Sequence, residues 1–243
     1  MTDLLAQANT KANREKFLNH LAQQAGRDRH QVQPFEPLND LPDQVLVNQT
    51  PQALLATAKQ NSEAVAAKVY LKTSDELASF LDEYLQTIQA KTLLLPGVGE
   101  AQWEAYHLAD WADHPQGVTT TVWSPDPADR AQNAQAADQA DLAVGFADYL
   151  IANTGTITVV TTPAQGRAFN YLPEHYLALV PQSGLVRSTR QAVEKYEAAL
   201  ADGFQTSAIN FISGPSNSGD IEMELVVGVH GPVDCAYVIV TDR

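Results

Sequence analysis

Acid, imidazole and hydroxyl side chains crowd one stretch of this 243-residue chain, FISGPSNSGDIEMELVVGVHGP, residues 211–232. Asp220 and His230 are its candidate catalytic acid–base pair, since a carboxylate that fixes the tautomer of an imidazole leaves the other ring nitrogen free to take or give a proton. Gly214, Pro215 and Ser216 should turn the chain at the end of a strand, and with Glu222 they are candidate ligand-binding residues, because open α/β sheets bind ligands at strand ends. The alternative has Asp220 capping a helix that begins at Ile221 and His230 bonded to a backbone carbonyl. Asp220, Glu222 and Glu224 alternate without an HxH or HxxxH spacing beside them, so no metal site is expected.

Two further stretches carry binding chemistry. In ADYLIANTGTITVV (147–160) a helix or turn is expected to enter a strand through Asn153, Thr154, Gly155 and Thr156. There Gly155 permits an unusual backbone angle, and the two hydroxyls suit a carboxylate, a sugar or a phosphate. The same residues serve equally well by bonding their own backbone in a turn. GRAFNYLPEHY (166–176) holds Arg167, Asn170, Glu174 and His175. Arg167 can grip a carboxylate with two parallel hydrogen bonds, whereas Glu174 and His175, adjacent in extended chain, point to opposite faces. PGVGE (96–100) reads first as a tight turn; its amides could face an anion, but it has neither the GxGxxG pattern nor a Walker lysine. Cys235, inside an apolar strand pattern, reads as a packing residue rather than a nucleophile.

The hydrophobic pattern indicates what must hold these residues in place. Residues 4–25 read as a helix and the Pro-, Asp- and Gln-rich stretch after it as a linker, so residues 1–45 form an N-terminal extension and 46–243 the main domain. A helix at 51–66, the strand KVYL, a helix opened by the capping sequence TSDE and the run TLLLPG then alternate. The strand TTTVW, a helix near 128–139, the strands HYLALV, AINFIS and CAYVIV, and a helix near 188–201 complete one sheet. This alternation predicts an α/β fold with parallel crossovers. A net charge of −14 argues against a nucleic-acid partner. The start of the chain lacks the features of a secretory signal, and no apolar run reaches the roughly 20 residues that span a bilayer. No membrane insertion and a cytoplasmic location are therefore expected. The single cysteine excludes an internal disulfide, an iron–sulfur cluster and a zinc site built on several thiolates.

The segments ADYLIANTGT (147–156), RAFNYLPEHYLALV (167–180), FISGPSNSGDIE (211–222) and GVHGP (228–232), in this order, resemble the LUD-domain family and, within it, the lactate utilisation protein C group. The resemblance implies a NagB/RpiA/CoA-transferase-like α/β sheet flanked by helices. It also implies a role in oxidising L-lactate to pyruvate beside iron–sulfur partner subunits, which would carry the redox clusters that this chain lacks. A small anionic metabolite or an electron-transfer partner is expected to bind at the edge formed by residues 153–156, 213–222 and 230. The chain matches the family pattern at Thr154, Gly155, Thr156, Arg167, Gly214, Pro215, Ser216, Asp220, Glu222 and His230. It departs at Asn153, where ETGT is usual, and at Asn217, where GPSRTADIE is usual. An amide cannot be the carboxylate nucleophile of a CoA-transferase, and losing the arginine removes a carboxylate clamp. The rival reading is a free-standing enzyme of the same fold acting on a sugar phosphate or an acyl-CoA.

Overall fold

Runs of Val, Leu, Ile and Ala without intervening charges suit strands buried on both faces, and four such runs form the centre of a parallel sheet. A computed structural model describes residues 10–29, 38–221 and 224–243; for residues 219–225 it gives at most the strand backbone. The chain divides into two units, residues 1–40 and 41–243. The first contains helix α1 (Lys11–Gln24), opened by Thr10, whose side chain accepts from the Asn13 amide. No residue of α1 is buried, and Phe17 and Leu21 are exposed. The expected helix thus forms over 11–24, while residues 1–9 and part of the expected linker lie outside the described residues.

The second unit runs α2 (Pro51–Ala64), β1 (Lys68–Lys72), α3 (Leu77–Thr87), β2 (Thr92–Leu95), α4 (Glu100–Ala105), α5 (Ala109–Asp113), β3 (Thr119–Val122) and α6 (Arg130–Asp138). It continues through β4 (Leu142–Phe146), β5 (Tyr149–Ile151), β6 (Thr156–Val160), α7 (Arg167–Tyr171), β7 (His175–Pro181), β8 (Leu185–Val186), α8 (Thr189–Ala201), β9 (Ile209–Ile212), β10 (Asn217–Ile221), β11 (Glu224–Val227) and β12 (Asp234–Val240). Six strands form a sheet in the order β1-β12-β7-β4-β2-β3, parallel throughout. The TSDE capping box forms as expected, Glu76 accepting from the Thr73 amide at 2.7 Å, although a 3-10 turn precedes α3.

The structure departs from the expected single sheet. β8, β5, β6 and β9 make a second sheet, antiparallel except for the β5–β8 pair. The stretch around Asn153, expected to lead from a helix or turn, is instead a hairpin joining β5 to β6. Alternation along β7 and β12 explains how the layers stack, because neighbouring strand residues face opposite sides. Leu177, Leu179, Ala236, Val238 and Val240 pack against α3, α4 and α5. Tyr176, Ala178, Val180, Cys235, Tyr237 and Ile239 pack on the other side, with Ile157, Val159 and Ile212 of the second sheet and Phe169 of α7. The far side of the second sheet packs Ile151 and Val186 against Ala192 of α8.

Asp234 pins the amino-terminal end of the parallel sheet. Its carboxylate lies 2.5 Å from Lys68 Nζ on β1, 3.4 Å from His175 Nδ1 on β7 and 3.4 Å from the Tyr84 hydroxyl on α3. His175 Nδ1 makes no aligned hydrogen bond, so its contact with Asp234 is electrostatic and strengthens when the ring is protonated. Burial works to raise the Asp234 pKa, but His175 and Lys68 more than offset it and hold the carboxyl at about 2. A depressed pKa gives stability that is present above the unfolded-state value and lost as the folded-state group protonates. Thermal midpoints should therefore include a decline attributable to Asp234 between about pH 4 and about pH 2. Asp234→Asn should remove that part of the acid decline and cost roughly 1–2 kcal/mol at neutral pH, screening at the half-exposed Lys68 allowed for. An unchanged acid profile in the variant would refute the assignment.

Candidate functional site

The turn after β9 is built around two constraints. Gly214 has φ +70, and a Cβ on it would lie 1.9 Å from the Val65 carbonyl oxygen at the end of α2. Its amide donates to the Tyr237 hydroxyl at 2.7 Å, and that hydroxyl donates onward to the Ile212 carbonyl at 2.9 Å. Ser216 then donates through its amide to Pro232, and its carbonyl accepts from the Gly228 amide. The GPS turn and the GVHGP turn are in this way laced together by backbone bonds.

Between them lies a cavity of about 310 Å³. Tyr176 and Cys235 contribute from the parallel sheet, Asn170 and Tyr171 from α7, and Ser213, Gly214, Pro215, Ser216, Asn217 and His230 from the two turns. Burial pushes the Cys235 thiol to about 12 and the Tyr176 hydroxyl well above the usual phenol range, so both stay protonated. The Tyr176 hydroxyl and the Asn170 amide nitrogen, both buried, have no hydrogen-bond partner. Among the described lining residues there is no lysine, arginine or carboxylate.

Of the candidate residues, Gly214, Pro215, Ser216 and His230 therefore come together. His230 is exposed, and among the described residues no carboxylate bonds to it. The backbone of Asp220 lies on β10 rather than at a helix start, so the capping alternative does not hold. β10 pairs with β11 from Asn217↔Val227 to Ile221↔Glu224, which puts Asp220 toward the closed end of this hairpin and His230 beyond its open end. Glu222 lies outside the described residues. Asn217 lines the cavity, and its amide donates to Pro215 O at 3.4 Å.

The 153–156 turn serves mainly to hold the structure. Gly155 has φ +64 and presses on α2, where a Cβ would lie 2.3 Å from the Asn61 carbonyl carbon and the Ser62 nitrogen. Asn61 Nδ2 in turn donates to Ala152 O at 2.7 Å. Thr154 is exposed, and the buried Thr156 hydroxyl shares a 2.6 Å hydrogen bond with Ser213 Oγ, reaching the cavity at one remove. Arg167 is not part of this cavity; it lines an adjoining hollow with Trp123, Arg130 and Tyr171. PGVGE, expected as a tight turn, is instead an irregular connection from β2 to α4; the Gly97 amide donates to Ala164 O, and a Cβ there would lie 2.1 Å from the Trp123 carbonyl oxygen.

A larger groove of about 680 Å³ lies beside Trp123 and Arg130. Its principal polar groups are already bonded within the protein: Trp123 Nε1 to Pro163 O, Asn133 to the Ser124 backbone, and Thr162 Oγ1 to the Gln165 amide. The smaller cavity is the one lined by residues with buried, unpartnered polar groups. It opens beside the amino-terminal ends of β7 and β12, not the carboxyl edge where open parallel sheets usually bind ligands. This follows from β9 belonging to the second sheet, so that its exit turn folds back over the first.

Sequence reasoning assigned no role to Tyr176. The available signal is a tyrosine placed among aliphatic residues in HYLALV, where a buried hydroxyl needs a partner.

A parallel sheet covered by helices on one face and by a second sheet on the other, with a polar cavity where a strand exit crosses back, defines a layered α/β domain. The chain belongs to the LUD-domain family, whose LUD domain matches residues 55–240. It is 37% identical over 235 residues to lactate utilization protein C of Geobacillus kaustophilus, covering 95% of this chain and 97% of that one. With the protein of the same name from Shouchella clausii it shares 33% identity over 233 residues, covering 95% and 99%. The Bacillus subtilis protein of that name is 32% identical over 239 residues, covering 95% and 97%. A crystal structure of a DUF162-family protein from Deinococcus radiodurans shares the fold, with a TM-score of 0.56 and 19% identity over 79% of this chain and 99% of that one.

Gly214→Ala should cost roughly 3 kcal/mol, combining a left-handed backbone with overlap against an immovable carbonyl. Gly99→Ala, where the added methyl meets nothing within 4 Å and only an N-cap preference is lost, should change stability by less than about 1 kcal/mol. Urea unfolding of the two variants checks this, and equal midpoints would contradict the packing account.

Proposed function

We propose that this chain is a cytoplasmic component of a lactate utilisation system that binds a small anionic metabolite and works beside iron–sulfur partner proteins. The observation that carries the reading is convergence. Three of the four segments that resemble the family meet at one cavity, through Asn170, Tyr171 and Tyr176, through Ser213 to Asn217, and through His230 to Pro232. The names of the relatives supply the metabolic context. One cysteine, buried and protonated, gives this chain no means of ligating a cluster, so electron transfer falls to partners. Among the described residues no helix is long and apolar enough to cross a membrane. The reading as a free-standing acid–base enzyme has weaker support, because Asp220 and His230 lie toward opposite ends of the β10–β11 hairpin.

Anaerobic pull-down of the full chain from its native cytosol, followed by mass spectrometry and lactate-dependent dye reduction, tests this. The expected eluate contains iron–sulfur proteins and reduces dye only when L-lactate is added. A solitary protein with no lactate-dependent activity would overturn the proposal.

A further inference from the structure

Of the six buried side-chain polar atoms without a hydrogen-bond partner among the described residues, two belong to residues that line one cavity. Tyr176 is 0% exposed and Asn170 is 1% exposed, both line the cavity, and neither the tyrosine hydroxyl nor the asparagine amide nitrogen has a hydrogen-bond partner. Buried polar groups in native proteins are overwhelmingly paired, so two orphans in one small cavity call for a bonding partner that comes and goes.

The orientation of Asn170 follows from its surroundings. Gln165 Oε1 accepts from the Phe146 amide at 3.0 Å, and Gln165 Nε2 donates both to Phe146 O at 3.0 Å and to Asn170 Oδ1 at 3.1 Å. Reversing Asn170 would set two N–H donors against each other, so its NH2 group is the free end. Tyr176 stays protonated in its dry setting. The cavity therefore offers two neutral donors, with the hydroxyl-bearing Ser213 and Ser216 and the ring of His230 also lining it.

This set selects a class of ligand. A phosphate group asks for cationic or multiple amide donors, and the described lining contains no lysine or arginine. A volume of about 310 Å³ is at the small end for ligand cavities and suits a small molecule better than a whole nucleotide or coenzyme A. Two neutral donors suit the acceptor oxygens of a small organic acid. We propose that Tyr176 and Asn170 are the specificity-determining donors of this cavity, reading the oxygens of a small 2-oxo or 2-hydroxy monocarboxylate. The choice of that acid class rests on the lactate utilisation reading; the donor pair does not. The competing account is a permanently held water that bonds both groups and never gives way to a ligand.

Isothermal titration of the full chain with L-lactate, pyruvate, acetate and inorganic phosphate, repeated on Tyr176→Phe and Asn170→Asp, tests the proposal. Thermal midpoints are measured with and without each acid. The expected result is binding of a monocarboxylate but not phosphate, weakened about tenfold or more by either substitution, as when one hydrogen bond to a ligand is lost. Tyr176→Phe without ligand should melt no lower than the original protein, because it removes an orphan hydroxyl and keeps the ring. Binding that is unaltered in Tyr176→Phe, no binding of any acid to the original protein, or a markedly lower midpoint for ligand-free Tyr176→Phe would each overturn the donor assignment. Acetate binding through Tyr176 while lactate and pyruvate fail would uphold the donor pair and count against the lactate reading. Equal lactate binding to all three proteins would do the reverse.

Discussion

The hydroxyl of Tyr237 is the interaction on which the arrangement around the cavity depends. It sits in the interior, accepts from the Gly214 amide and donates to the Ile212 carbonyl. These are the backbone groups left over where β9 ends, and a strand end buried without partners would be strongly unfavourable. A side chain of β12, in the parallel sheet, thus completes the hydrogen bonding of a strand in the other sheet. Burial keeps this phenol protonated, well above its usual range, so the bond to Ile212 retains its proton. The two sheets are registered by a polar contact as well as by apolar packing, and the floor and roof of the cavity inherit that registration.

Polar groups elsewhere between the layers follow the same rule. Asn210 is buried in β9, and its amide donates to Val159 O and Thr161 Oγ1 across the second sheet. On the outer side of that sheet, the Tyr196 hydroxyl of α8 bonds both Asp148 and Thr158. Burial raises the Asp148 pKa, while the Tyr196 hydroxyl and the Val160 amide work against that rise. In both cases a polar side chain inside the fold is met by partners held in place by regular structure. The unpaired hydroxyl of Tyr176 and amide of Asn170 contrast with these two cases, as do Ser62 Oγ, Thr120 Oγ1, Asn153 Oδ1 and His175 Nδ1 outside the cavity.

How much of this was legible in the sequence depends on length and context. TLLL, HYLALV and CAYVIV announce strands buried on both faces, because uninterrupted apolar runs have no solvent side. The second sheet was harder to see: β5 has three residues and β8 two, too short for a periodic signal. ANTGT was read as the exit of a helix or turn because its threonines and glycine mark a turn without saying what precedes it. At the site, glycine, proline and serine betrayed the GPS turn through residue type alone. Arg167 attracted attention through its charge, yet only the path of α7 places it in the adjoining hollow. Tyr176 was silent because an unpaired hydroxyl is a property of its neighbours in space, set by β12 and the turn after β9.

Helix α2 touches both motif-bearing turns, through the Asn61–Ser62 backbone against Gly155 and the Val65 carbonyl against Gly214. In each contact the obstacle is main chain, which is the same for every amino acid. No replacement in the helix can make room for a side chain on either turn, so the dependence runs one way. The helix side chains answer to other demands, Asn61 to Ala152 O and Ala58 to the core, while the two glycines answer to its main chain. A smaller residue in the helix therefore cannot compensate for a larger one at either glycine, although helix and turns are in intimate contact.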